Sequence, residues 1–180
     1  MRPCFAHYAI ALLVILGCGD QGPGHSESRF SVTLDGLPWV PDSAVAILYG
    51  SQCDTTLHLG AGRSTSPQDG EAVTMVLHHF SGAASVSLGD TSTAAYGAFV
   101  LTHYPVGGLP VNDPYWTWSR RPGTLTIQGL TGTDSVMFGS FAFEAASTPS
   151  GLSQRRLTGQ FRVRYEFQPV FVVECQPRRS

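Results

Sequence analysis

RLTGQFRVRYEF, residues 156–167, is the clearest alternating stretch in this 180-residue chain. Leu157, Phe161, Val163, Tyr165 and Phe167 fall on one side; Thr158, Gln160, Arg162, Arg164 and Glu166 fall on the other. Successive side chains of a strand point to opposite faces, so a period of two over this length predicts an antiparallel strand with one face buried and one wet. Upstream, DSVMFGSFAFEA (134–145) puts Met137, Phe141 and Phe143 on one face. Gly139 lies among them, where another backbone or ring can come close.

The same pattern extends over the rest of the chain. RFSVTLDGLPWV (29–40) sets Asp35-Gly36 between two apolar segments, a strong hairpin signal, with Trp39 held between Pro38 and Pro41. AVAILYG (44–50), DTTLHLG (54–60), EAVTMVLHHF (71–80), ASVSLGD (84–90), AAYGAFVLTH (94–103) and GTLTIQGL (123–130) read as further strands. AGRSTSPQDG (61–70) reads as a polar loop and PVGGLPVNDP (105–114) as a long one, followed by YWTWS (115–119) as a short edge strand. Nowhere do apolar residues recur at helical spacing for three turns. The expected fold is all-β, an antiparallel two-sheet β-sandwich or a closed β-barrel of about ten strands.

Composition agrees with this class. Charged residues are 13% of the chain, where about 25% is usual, and every basic residue is arginine. A net charge of −2 gives no overall bias toward nucleic acid or anionic lipid.

The N-terminus carries an address. Met1-Arg2 precedes the apolar run Tyr8–Leu16, which is too short to span a bilayer but suits a signal peptide. Ile15-Leu16-Gly17-Cys18 resembles the bacterial lipobox. The resemblance implies a signal peptide over 1–17, cleavage before Cys18 and a lipid on its sulfur; a plain secretory signal is the alternative. Two or more acyl chains anchor stably, so Cys18 would hold the protein on a membrane without a spanning helix. Residues 18–28, polar and Gly/Pro-bearing, form a flexible tether, and 29–176 the folded domain. Asp20, not residue 19, carries the first acid, which points to outer-membrane rather than inner-membrane sorting. In an oxidising compartment Cys53 and Cys175 are a candidate disulfide closing about 120 residues; two separate buried thiols are the other possibility.

Three short motifs carry a family resemblance. They are Asp35-Gly36-Leu37-Pro38-Trp39, Gly139-Ser140-Phe141-Ala142-Phe143 and Thr158-Gly159-Gln160-Phe161. Together they resemble a family of uncharacterised bacterial lipoprotein domains over roughly residues 30–166. The resemblance implies a compact β-sandwich on a lipid tether and no catalytic residues.

The search for chemistry yields few candidates. His58, His78, His79 and His103 lack metal-site spacing, and within one strand His78 and His79 would face opposite ways. No G-x-S-x-G elbow, phosphate loop or calcium loop is present. No catalytic residue, metal ligand or cofactor is assigned. The feature that stands out is aromatic: Tyr115, Trp116 and Trp118, with Arg120 beside them, where flat rings could stack on a sugar or a hydrophobic partner. The same rings could instead cap the core. The expected function is therefore a non-catalytic, lipid-anchored envelope protein with a binding or assembly role, its partners the membrane through Cys18 and a glycan or envelope protein, with no nucleic acid. A ligand-binding module built on Trp116 and Trp118, and an envelope hydrolase or metal-dependent enzyme, are the alternatives.

Overall fold

The computed structural model describes residues 28–50, 55–132, 135–148 and 153–169. The expected signal peptide over 1–17, residues 18–27 of the expected tether with Cys18, and Cys53 and Cys175 lie outside the described residues. Eleven strands and no helix make up the described chain. They are β1 (Arg29–Leu34), β2 (Leu37–Trp39), β3 (Ser43–Gly50), β4 (Thr55–Ser66), β5 (Asp69–Leu77), β6 (Ala84–Leu88), β7 (Ala95–His103), β8 (Val111–Trp116), β9 (Gly123–Thr131), β10 (Val136–Ala146) and β11 (Gln154–Pro169).

All eleven belong to one sheet, in the order β2-β1-β11-β3-β4-β5-β7-β8-β10-β9-β6, with a further pairing of β10 to β11. That pairing makes β3, β4, β5, β7, β8, β10 and β11 a ring of neighbours, joined at β8–β10 by the one pair Ala146–Trp116. β11 is the hinge of the arrangement. Its first part lies between β1 and β10, and its last residues run along β3.

The structure corrects the antiparallel expectation at one place: β11 pairs with β3 in parallel, from Tyr165–Ala46 to Pro169–Gly50. The sheet is mixed. A parallel pair needs a long crossover, and here the crossover is the rest of the domain.

Local sequence explains the elements. Asp35 and Gly36 both take positive φ, 52° and 84°, and Leu34 pairs with Leu37 across them. Positive φ at both central residues marks the two-residue hairpin that an Asp-Gly step favours. The expected polar loop at 61–70 is instead strand on both sides of a two-residue turn, Pro67-Gln68. Ala61 and Arg63 continue the inward row of Leu57 and Leu59, while Gly60, Gly62 and Ser64 take the outer side. Hydroxyls and glycines on a wet strand face look like a loop when read as composition alone. β8 likewise begins at Val111, inside the expected loop, and tolerates Pro114 because it meets β10 only at its end.

The core lies inside the ring. Leu57, Met75, Leu125, Met137 and Leu157 are completely or almost completely buried. Phe30, Phe141 and Phe161 pack ring against ring, with centroids 5.7 and 6.1 Å apart from Phe30. Phe167, expected inward, is 61% exposed. It lies past the last β10 partner, Arg164, and its ring instead lies close over Gly50, where an added Cβ would sit 2.3 Å from it. One end of the interior is polar. The Trp39 indole N–H donates to Glu71 Oε2 at 2.7 Å, Arg63 donates to the same oxygen at 2.8 Å, and the Arg63 guanidinium lies 5.2 Å from the Trp39 ring. Nearby, Arg155 bonds Asp35 at 3.0 Å and lies 5.8 Å from the Tyr115 ring.

Candidate functional site

The structure separates the four aromatic and basic candidates. Tyr115 points inward against Phe99, with ring centroids 6.2 Å apart, and is 8% exposed. Trp118 spends its indole N–H on Ala146 O at 3.1 Å, beside the β8–β10 join. Arg120 is exposed in the turn that follows. Only Trp116 reaches the outer face in a group of rings.

That group is a row the sequence did not suggest. Tyr49 on β3 meets His58 on β4 edge-on at 4.9 Å. His58 is the register partner of Val76, and Val76 of Tyr96. Tyr96 meets Trp116 edge-on at 5.9 Å and His78 at 6.4 Å. Thr56 Oγ1 lies 3.2 Å from His78 Nδ1. Val76, Ala98 and Val100 are buried, yet they lie outside the main core cluster and on the outward side of β5 and β7. A second, shallow apolar layer therefore sits on the outside of the sheet. The outward positions of β3, β4, β5, β7 and β8 carry no Asp, Glu or Arg. Five strands at the usual interstrand spacing make this face about 19 Å wide.

The electrostatics follow from that dryness. Burial, then the neighbouring His78, holds the His58 imidazole below its ordinary range. Burial pushes the Tyr96 phenol up. The sign for His58 is fixed: the folded state binds fewer protons than the unfolded one. Its contribution to stability is full above about pH 6.5, the unfolded value, and is lost as pH falls through the lowered folded one. We expect the urea midpoint to fall as pH drops below about 6.5, and to fall less in His58→Gln. Equal acid sensitivity in both proteins would refute this account.

Among the described residues, His103, His78 and His79 make no catalytic set. His103 Nδ1 lies 2.7 Å from Asp69 Oδ1, and Ser66 Oγ donates to Asp69 Oδ2 at 2.6 Å. Those bonds, Ser66 first, hold the exposed Asp69 carboxyl below its usual range. Here the carboxylate stands between serine and imidazole. A nucleophilic triad needs the imidazole in the middle, to take the serine proton. His78 and His79 lie in a turn after β5, not within a strand, and His79 has a φ of 57°. Among the described residues no group of three or more His, Cys, Asp and Glu side chains gathers to hold a metal.

No family model, no curated protein and no solved structure matches this chain. The ring row therefore rests on geometry alone. Tyr49 and Tyr96 could have been assigned to outer faces from their alternation with buried neighbours. Their meeting with His58 and Trp116 depends on cross-strand register, which a single sequence does not carry.

Proposed function

We propose that this chain is a lipid-anchored, non-catalytic binding domain of the bacterial cell envelope, whose uncharged outer face takes a neutral glycan. The observation behind the binding reading is the row Tyr49–His58–Tyr96–Trp116. Half-buried rings fixed by their neighbours lose little entropy on binding and offer flat apolar surface to the C–H faces of sugars. The absence of carboxylates and guanidiniums from the outward positions of these strands favours an uncharged chain over an acidic one. A width of about 19 Å suits an oligosaccharide better than one ring.

The address rests on the lipobox-like Ile15-Leu16-Gly17-Cys18 and the tether after it, with the outer membrane as destination. We extend the same reading to a Cys53–Cys175 disulfide. It is supported by the pairing of Gly50 with Pro169, three residues before one cysteine and six before the other.

One preparation tests all three parts. Protein taken from the membrane fraction should have the mass of a chain beginning at acylated Cys18 and no alkylatable thiol. It should bind a neutral N-acetylglucosamine hexasaccharide with a change in tryptophan emission. Trp116→Ala and Tyr96→Ala should each weaken binding by about tenfold, the scale of one lost aromatic contact. A soluble product with free Cys53 and Cys175 would discard the address and the disulfide. Unchanged affinity in both ring variants would discard the binding face.

A further inference from the structure

We infer that the wall opposite the aromatic face, formed by β1, β10 and β11, docks on anionic lipid headgroups and lays the domain on the membrane beside its own tether. The inference rests on the tether reading for its location. The wall's charge is independent of that reading.

Arg156, Arg162 and Arg164 occupy exposed outward positions of β11. At about 3.3 Å per residue they span about 26 Å of strand. Arg121, with its side chain 59% exposed, reaches Glu144 on β10 at 3.6 Å, and Arg120 adjoins it. Arg121, Glu144 and Arg156 line a shallow cleft of about 230 Å³. Against these five arginines the outward positions of β10 and β11 hold two acids, Glu144 and Glu166. Asp42, Asp69 and Asp113 lie on other strands and loops, whereas Asp35, at the end of β1, is paired with Arg155 at 3.0 Å, and Asp90 accepts a hydrogen bond from Ser119, next to Arg120. Among the described residues, the outward positions of β1, β10 and β11 thus carry Arg29, Arg156, Arg162 and Arg164 against Glu144 and Glu166, an excess of positive charge on this wall. Around the ring of neighbours β5 is the strand farthest from both β10 and β11, and the aromatic row is centred on it, so the row faces the other way.

The point where the tether meets the domain is on the same wall. Arg164 N donates to Ser28 Oγ at 3.5 Å, and Arg29 is the register partner of Arg162. A lipid on Cys18 would keep these arginines within reach of the surface, where screening is least. Arginine presents planar donors to phosphate oxygens, and near an anionic surface each basic residue strengthens partitioning by about fivefold. Docked this way, the domain turns its glycan-binding face outward from the membrane.

The full chain carrying Cys18→Ser, offered to phosphatidylcholine vesicles with and without phosphatidylglycerol, tests the wall. The N-terminal segment, with the Met1 amine and Arg2, contributes equally in parent and variants, so the change in the ratio of the two partition constants between them reads the wall. We expect the ratio to favour anionic vesicles and to collapse in high salt. Combining Arg156→Gln, Arg162→Gln and Arg164→Gln should lower it by about 100-fold. Glu144→Gln, which frees Arg121, should raise it by up to about fivefold, and it reads the wall even if the triple variant folds poorly. Equal partitioning of the parent onto both vesicles, an unmoved ratio in Glu144→Gln, or competition by soluble polyphosphate at matched phosphate would overturn the proposal. Failure of the tether shows elsewhere, as membrane anchoring in cells that survives Cys18→Ser.

Discussion

Gly139→Ala will unfold this domain more readily than any other single-methyl addition we consider. A Cβ at residue 139 would stand 2.0 Å from the carbonyl oxygen of Thr126 and 2.7 Å from Phe161 Cζ. The first obstacle is backbone and cannot rotate aside. The β9–β10 ladder shifts register between Phe138 and Gly139, at the position where the side chain is missing. Admitting a methyl group means pushing β9 away from β10 and breaking ladder bonds on both sides. We expect a loss of at least about 3 kcal/mol, or about 10 °C in Tm. Gly70→Ala is the control, because its nearest atom, Arg63 O, is 3.5 Å away. It should stay within about 0.5 kcal/mol of the parent. Urea midpoints at constant slope measure both; a Gly139→Ala midpoint equal to that of Gly70→Ala would show that the strands can separate at no cost.

Trp39→Ala carries the second large effect. Trp39 is 2% exposed and reaches across the interior from β2 to β5. Removing it empties a ring-sized space and takes away the one indole donor to Glu71, whose side chain is 19% exposed. Large-to-small changes of this kind cost about 3–5 kcal/mol. Trp39→Phe separates the terms, since it keeps most of the packing and deletes the donor. We expect about 1–3 kcal/mol from it, the scale of a lost hydrogen bond to a charged acceptor. If the two variants unfold at the same midpoint, packing contributes nothing here and the hydrogen bond is the whole effect.

Much of the fold was legible because its signals are local. Asp35-Gly36 announced its hairpin, and Leu157, Phe161 and Val163 announced a buried face by spacing alone. Gly139 was readable as a close approach, although not which strand would make it. What escaped was every property that depends on which strand lies beside which. The parallel β3–β11 pair joins residues more than a hundred positions apart. The ring row needs the register of four interfaces. Net charge concealed the basic wall, because a sum has no direction. Alternation also carried too far at Phe167, where the strand continues but the core beneath it has ended.

β11 has a kinetic consequence. It is the last described strand, yet it supplies neighbours to β1, β3 and β10. Contacts between distant parts of a chain form slowly, and those that need the final strand cannot form before it exists. A nascent chain on the ribosome therefore lacks the piece that closes the ring until β11 has been made. Until then β3 and β10 have no common neighbour, and the seven-strand ring stays open.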